Sequence, residues 1–147
     1  MAGFFYVLDT DARILFVDDD PILREFAQVN LASPHAEVDT AGDGLEALER
    51  LATTRYDLLL VDLEMPRLDG FGLLERLRAD PVTAPLPVIV QTGREDVDAI
   101  DRAFHLGATS FVTKPLNWRL LTYQMRFVLR SNRAEHRLRH TAGSQAT

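Results

Sequence analysis

Apolar residues are concentrated in five short runs, which are separated by longer segments with helical spacing. Most of these runs show little alternation, as in "RILFV" and "DLLLV". Such runs are typical of strands that are covered on both faces of a parallel sheet. The predicted strands are 13–17, 36–41, 57–61, 86–92 and 109–113.

The segments between these strands carry the end signals of helices. Asp20 and Pro21 suit the N-cap and the first position of a helix over 20–32. Gly107 suits the C-cap of a helix over 94–107. The other predicted helices cover 43–54, 71–80 and a last segment from about residue 117 to about residue 140.

Strand and helix therefore alternate five times with short connections. This order predicts an α/β fold, a doubly wound five-stranded parallel sheet with helices on both faces and right-handed crossovers. We divide the chain into an N-terminal arm (1–12), one domain (13–130), and a helical extension with a flexible tail (131–147).

Composition and charge narrow the classes of function. The 147 residues include no cysteine, which excludes disulfides and thiolate metal sites and agrees with a cytoplasmic location. No apolar run approaches the roughly 18 residues of a membrane span. Residues 1–115 hold 10 basic and 21 acidic residues, a balance of −11, whereas residues 116–147 hold 6 basic and one acidic residue, a balance of +5. The acidic body argues against direct binding of nucleic acid.

Polar residues follow the predicted strands at the edge where such folds bind ligands. They are Asp18, Asp19 and Asp20 after the first strand, Asp62 after the third, Thr92 at the end of the fourth, and Lys114-Pro115 after the fifth. Clustered acids would repel by roughly 4 kcal/mol per pair at about 4 Å. Oxygen ligands without His or Cys favour Mg²⁺, or Mn²⁺, as the ion that offsets this repulsion.

Each of these residues also has an ordinary structural explanation. Asp20 is sufficiently explained as a helix cap, and the other acids could be solvated loop residues. Thr92 could cap the following helix, and Lys114 could be an exposed surface residue. The ordered set of acids, threonine and lysine favours a functional site over these separate explanations.

The stretches "ILFVDDDP", "DLLLVDLEMPRLDG", "PVIVQTG" and "GATSFVTKPL" resemble the receiver domain of two-component response regulators, over about residues 12–130. The resemblance implies a flavodoxin-like (βα)5 receiver, here with an extended C-terminal helix. It implies that Asp62 is the phosphoacceptor and that Asp19 binds the metal directly. Asp18 would act largely through water, and the backbone carbonyl of Glu64 would be the third protein ligand.

The same resemblance implies the roles of the remaining site residues. Thr92 matches the switch hydroxyl, and Lys114 matches the lysine that pairs with the phosphoryl group. Phe111 matches the aromatic residue that changes rotamer on activation, although plain core is an alternative for it. The Lys114-Pro115 peptide bond is expected to be cis.

The implied function is that of a phosphoacceptor in a two-component phosphorelay. Mg²⁺-dependent phosphorylation of Asp62 would switch the surface formed by helix 4, strand 5 and helix 5. The expected partners are a sensor histidine kinase or a phosphotransfer protein, and a second copy through that surface or through the C-terminal helix. No output enzyme domain is expected in these residues beyond phosphoryl acceptance and self-dephosphorylation.

Four positions are singled out against the family pattern. Gly93 stands where the family more often has alanine, which we expect to loosen the switch loop. Gln91 is polar where many members are apolar. Glu64 and Arg94 lie two residues beyond the acceptor and the switch threonine, and we expect them to pair across the site and hinder the attacking water.

The last predicted helix is longer than is needed to cover the sheet, about 36 Å over 117–140. Its second half is basic, which suits a frayed end, a linker to an output domain or a dimer coiled coil. A weak resemblance links it to receivers joined through a signalling helix to cyclic-di-GMP enzymes. His136 and His140 are expected to be ordinary exposed residues. Five apolar residues of its first half are expected to pack on the core: Leu120, Leu121, Tyr123, Phe127 and Val128.

Three other classes of protein compete with this interpretation. A flavin binder of the same architecture would need a hydroxyl- and glycine-rich loop where this chain has "DDDP". An aspartyl phosphatase would need Asp-x-Asp-x-Thr after the first strand, which is missing. A phosphorylation-independent, receiver-like protein-interaction module remains the main alternative function.

Overall fold

The computed structural model describes residues 11–93 and 96–146, with 136–146 described by their backbone alone. Five strands alternate with five helices along these residues. The strands are β1 (Ala12–Val17), β2 (Ala36–Ala41), β3 (Leu58–Asp62), β4 (Val88–Thr92) and β5 (Ser110–Thr113). The helices are α1 (Pro21–Leu31), α2 (Gly44–Thr53), α3 (Gly70–Ala79), α4 (Val97–His105) and α5 (Trp118–Ala146).

The five strands form one parallel sheet in the order β2-β1-β3-β4-β5. The predicted doubly wound architecture is therefore confirmed. The order reverses between β1 and β3, so the ends of these two strands border the crevice in which such sheets bind ligands. Val17 lies beside Val61 in this pair, which places the residues that follow β1 next to the end of β3.

Alternate residues of the central strands enter two separate cores. Ile14 and Phe16 lie in the core beneath α1 and α5, whereas Leu15 and Val17 lie in the core beneath α2, α3 and α4. All five side chains of β3 are buried. Burial on both faces explains why these strands are continuous apolar runs rather than alternating ones.

Aspartates cap four of the helices. Asp20, Asp43, Asp69 and Asp96 each accept a hydrogen bond from a backbone N–H in the first turn that follows. The cap predicted at Asp20 is confirmed, at 2.9 Å from the N–H of Ile22. The C-cap predicted at Gly107 is one residue too late, because Leu106 is the cap and Gly107 is the next residue, with φ of 110°.

Arg78 joins three segments at the end of the sheet opposite the acids. Its guanidinium donates to the carbonyls of Gly107 at 2.7 Å, Leu86 at 2.7 Å and Ala84 at 3.0 Å. Burial lowers the pKa of Arg78. A Cβ atom on Gly107 would lie 2.7 Å from Nε of Arg78, so the loop before β5 fits closely around this side chain.

Helix α5 has 29 residues and runs past the predicted end near residue 140. Its core side is formed by Leu121, Met125, Val128 and Leu129, all at most 4% exposed. Near the beginning of the helix, the Trp118 ring packs against Phe16 with their centroids 6.1 Å apart.

Part of the expected packing of α5 is wrong. Leu120, Tyr123 and Phe127 are 64%, 47% and 70% exposed, although they were expected on the core. At 3.6 residues per turn these three share one side of the helix, while Leu121 and Val128 face the sheet from the other. The side chains of His136 and His140 lie outside the described residues, so that expectation stays a prediction.

Residues 1–10 of the expected N-terminal arm also lie outside the described part of the chain. Asp11, where the description begins, is exposed, and its carbonyl accepts from Arg133 Nη2 at 3.1 Å. Among the residues that the structure describes, none of the helices combines the length and the apolar character of a bilayer span.

Candidate functional site

Three carboxylates meet at the carboxyl ends of β1 and β3. Asp18 is fully buried, Asp62 is 5% exposed and Asp19 is exposed. Each of the three offers an oxygen, and these oxygens lie within 4.8 Å of one another. Hard oxygen donors at this spacing, with no sulfur or imidazole among them, fit a divalent cation such as Mg²⁺. The cluster expected from the sequence is therefore assembled.

Local backbone contacts orient Asp18. Its Oδ1 accepts from the N–H of Asp20 at 2.9 Å, and its backbone carbonyl accepts from Arg24 Nη1 at 2.8 Å. Arg24 was missed from the sequence. The available signal was its position on the turn after the cap Asp20, next to the acids.

Lys114, the only lysine of the sequence, lies next to these acids. Its Nζ lies 3.0 Å from Oδ2 of Asp62 and 3.0 Å from Oδ2 of Asp18. The Lys114-Pro115 bond is cis, as expected. Burial disfavours the ammonium, but hydrogen bonds to Asp18 and Asp62 outweigh it and raise the pKa of Lys114. The alternative of an exposed surface lysine is wrong.

The carboxyl group of Asp62 is held in an environment that disfavours its charge. Burial raises the pKa of Asp62, the hydrogen bond from Lys114 lowers it, and the charge of Asp18 raises it, with a raised pKa as the net result. An additional cation at the cluster would favour the ionised form, because an opposite charge within a few ångströms stabilises a carboxylate.

The loop after β3 is held tightly behind Asp62. The N–H of Glu64 donates to Oδ1 of Asp62 at 3.2 Å, and the N–H of Gly70 donates to the carbonyl of Leu63 at 3.1 Å. A Cβ atom on Gly70 would lie 2.6 Å from the carbonyl oxygen of Asp62. The first residue of α3 must therefore be small for β3 to end where it does.

An ion pair between Arg67 of this loop and Asp43, the cap of α2, holds the same loop in place. Arg67 has φ of 64°, in the left-handed region, and its Nε donates to Oδ2 of Asp43 at 2.7 Å. The hydrogen bond from Arg67 lowers the pKa of Asp43. Sequence reasoning did not assign this pair, because nothing local indicates which acid an exposed loop arginine will reach.

Thr92 closes the site from β4 and is 7% exposed. Its carbonyl accepts from the N–H of Lys114 at 2.8 Å, which ties the two positions together. Helix α4 is capped by Asp96, so the alternative that Thr92 caps this helix is wrong. A Cβ atom on Gly93 would meet none of the described residues within 4 Å, so close packing against them does not require glycine there.

Phe111 lies on the edge strand β5 and is 37% exposed, so the alternative of plain core is wrong. Its ring packs edge-on against Phe104 of α4, with centroids 6.1 Å apart. Arg94, expected to pair with Glu64, lies outside the described residues, and that pairing stays a prediction.

A model of the response regulator receiver domain matches residues 14–126. The chain belongs to this family. The receiver is 38% identical over 123 residues to response regulator MprA of Mycobacterium ulcerans (strain Agy99). This match covers 84% of this chain and 52% of MprA. The receiver is 33% identical over 118 residues to the DNA-binding dual master transcriptional regulator RpaA of Synechocystis, with 80% and 49% covered. It thus spans about half the length of these curated relatives.

Solved structures agree with the family. The signal receiver domain of an HD domain-containing protein from Pseudomonas fluorescens Pf-5 superposes with a TM-score of 0.78 at 26% identity, and the match covers 84% of this receiver and 98% of that chain. The chain therefore contains a receiver domain of the two-component response regulator class. This membership argues against the flavin-binding and phosphatase alternatives.

Proposed function

We propose that this receiver accepts a phosphoryl group on Asp62. The observation that carries the proposal is the position of Lys114 Nζ, 3.0 Å from Oδ2 of a nearly buried Asp62, beside a cluster of acidic oxygens. A carboxylate is a competent nucleophile when the charge of the incoming phosphoryl group is neutralised. This arrangement supports phosphoryl transfer better than phosphorylation-independent binding.

An oxygen of Asp62 forms a bond to phosphorus as the bond from phosphorus to the donor breaks. The electron pair of the broken bond leaves with the donor. The proposed donor is a phosphohistidine on a sensor histidine kinase or phosphotransfer protein, or a small acyl phosphate. Lys114 holds a positive charge at the acceptor, and the buried position of Asp62 limits competing water.

Asp18, Asp19, Asp62 and the backbone carbonyl of Glu64 are the proposed ligands for Mg²⁺, with Mn²⁺ as the alternative ion. The bound ion supplies positive charge to the oxygens of the transferring phosphoryl group. The spacing of the three carboxylates, within 4.8 Å, supports this assignment.

The proposed switch runs from Thr92 to Phe111. The Thr92 hydroxyl donates to the phosphoryl group, and its movement opens space for the Phe111 ring on the surface of α4, β5 and α5. The half-exposed pair Phe111 and Phe104 supports this step, since an aromatic pair at a sheet edge has room to reorient. A local charge change would thereby bias a two-state element.

The same surface is the proposed contact for a second copy or an output domain, as is the C-terminal helix. Exposed apolar residues of α5, Leu120, Tyr123 and Phe127, support this choice. The proposal includes a cytoplasmic location and assigns the chain no output enzyme activity.

The test is incubation of the full chain with a small acyl phosphate and Mg²⁺, followed by intact mass. One phosphoryl group should be gained, and Asp62→Asn should abolish the gain. Asp101→Asn, which removes an exposed carboxyl from α4, is the matched control and should retain it. A gain that persists in Asp62→Asn would place the acceptor elsewhere, and no gain in the wild type would favour the phosphorylation-independent module.

A further inference from the structure

Gln91 is a buried polar residue whose amide has no hydrogen-bond partner. It lies on β4 and is fully buried, and neither Oε1 nor Nε2 has a partner among the residues that the structure describes. An unpaired buried amide destabilises a fold, and each such group calls for an explanation. A purely structural position in this strand would be filled better by an apolar residue.

Strand register places the Gln91 side chain beside Asp62. The two residues are directly paired between β3 and β4, where neighbouring strands lie about 4.8 Å apart. Leu60 and Ile89, each two residues earlier on its strand, share the core beneath α1 and α5. Because side chains alternate along a strand, Gln91 and Asp62 project on this same face.

The side chain of Lys114 reaches across β4 towards β3. Lys114 follows β5, yet its Nζ reaches Asp62 on β3 and Asp18 after β1, and β4 lies between β5 and β3. Val112, which pairs with Gln91, packs on the same core and lies two residues before Lys114. Lys114 therefore lies two residues beyond the partner of Gln91 on β5, and its Nζ contacts Asp62, the partner of Gln91 on β3.

Lys114 also contacts two of the carboxylates that a metal ion would use. Its ammonium lies between Asp18 and Asp62, two of the three carboxylates of the acidic cluster. A divalent cation at those oxygens would repel the ammonium, since like charges a few ångströms apart interact strongly in a partly buried site. Once separated from these oxygens, the ammonium needs another acceptor.

We propose that Gln91 is a positioning residue, whose Oε1 accepts a hydrogen bond from Lys114 Nζ when a divalent cation occupies the acidic cluster. The amide of Gln91, which has no partner among the described residues, would then be paired. Gln91 thus lowers the free-energy cost of moving Lys114 and keeps its charge next to Asp62. The inference rests on the cation site of the proposed function, and not on phosphoryl transfer.

The experiment measures Mg²⁺ affinity of the full chain by isothermal titration calorimetry. Gln91→Met keeps the length of the side chain and removes the acceptor, so it should weaken Mg²⁺ binding by about tenfold, the scale of one hydrogen bond to a charged group. In a Lys114→Met background the same substitution should have no effect on affinity. Without Mg²⁺, Gln91→Met should raise Tm, because it removes an unpaired amide.

Val112→Ala is the matched control, since it loosens the same layer and leaves the amide in place. It should lower Tm without changing Mg²⁺ affinity.

Because Lys114 is the only lysine, ¹⁵N-lysine labelling gives one side-chain signal, which should shift with Mg²⁺ differently in wild type and Gln91→Met. Equal affinity of wild type and Gln91→Met, or equal weakening with and without Lys114, would overturn the role of Gln91. No Mg²⁺ binding by the wild type would instead overturn the cation site itself.

Discussion

Asp62 combines a proposed reactive role with an unfavourable environment. It is 5% exposed, its nearest cation is shared with Asp18, and its pKa is raised chiefly by burial. Because the folded protein disfavours the charge, an ionised Asp62 should stabilise the fold less than a neutral residue at this position. The proposed acceptor is therefore a site at which stability and function oppose each other.

Replacing Asp62 by Asn should stabilise the ion-free protein at neutral pH. Well below pH 3.8, the ordinary pKa of this group, the carboxyl is protonated in the folded and the unfolded chain alike. As pH rises from there towards the raised folded pKa, the unfolded chain releases its proton first, so the wild type loses stability. The advantage of Asp62→Asn, measured as Tm without divalent ions, should therefore grow as the pH rises through 3.8 and should stop growing above the raised folded pKa.

Asp101→Asn, on an exposed face, should show no comparable pH dependence. An Asp62→Asn variant that is less stable than the wild type at pH 7 would mean that the ion pair with Lys114 outweighs burial.

Sequence alone predicted the residues of the site better than their contacts. Asp18, Asp19, Asp62, Thr92 and Lys114 all lie at strand ends, and strand ends meet at one edge of a parallel sheet. The contact of Arg24 with the Asp18 carbonyl and the Asp43–Arg67 pair were not predicted, because a long side chain has several acceptors within reach and its position in the sequence does not select one. The exposure of Phe111 depends on β5 being an edge strand, which only the strand order decides.

At the scale of elements, the start of α3 sets the position of β3. Gly70→Ala would place a methyl group 2.6 Å from the carbonyl oxygen of Asp62 and 2.8 Å from Cα of Leu63. Backbone atoms cannot yield as a flexible side chain can, so unfolding should become easier by about 1–3 kcal/mol. Phosphorylation by an acyl phosphate should slow in parallel, because the acceptor strand is displaced.

Gly93→Ala is the matched control for this prediction. In the part of the chain that the structure describes, a Cβ atom there meets nothing within 4 Å, so the variant should keep its stability or gain about 0.4–1 kcal/mol through a less flexible unfolded chain. Urea denaturation of both variants measures the difference. Equal stabilities would show that the contact at Gly70 relaxes without cost.

The types of the elements were predicted correctly from hydrophobic periodicity, whereas the side of α5 that faces away from the core was not. Strands such as β3 are buried on both faces, so their sequence is a continuous apolar run that clearly indicates a strand. The outward face of α5 was misassigned, because Leu120, Tyr123 and Phe127 are as apolar as the residues that face the sheet. Composition cannot distinguish an apolar surface from a core when both lie on the same helix.

For the whole molecule, Arg78 connects parts of the chain that are distant in sequence. Arg78→Met would leave the carbonyls of Gly107, Leu86 and Ala84 without their donor, and should lower the free energy of unfolding by about 2–4 kcal/mol. Arg76→Met, on the exposed side of the same helix, should change it by less than about 0.5 kcal/mol. Thermal or urea unfolding compares the two, and similar losses would refute the special role of Arg78.

The domain boundary predicted at residue 130 is tested by truncation. A chain that ends at Arg130 keeps the core residues of α5 and should fold and accept a phosphoryl group, with a slightly lower Tm because the contact of Arg133 with Asp11 is lost. A chain that ends at Asn117 loses Leu121 and Met125 and should not fold. Circular dichroism and intact mass report both results. Loss of folding in the longer chain would move the boundary into the extension.

The packing of Trp118 on Phe16 has a practical consequence. This indole is the only one in the sequence, and it lies four residues beyond Lys114 at the beginning of α5. Fluorescence excited in this ring comes from a single known place in the molecule, close to the lysine and far from the basic end of the helix. The protein thus carries its own optical probe, and events at the acids can be timed in solution without attaching a dye.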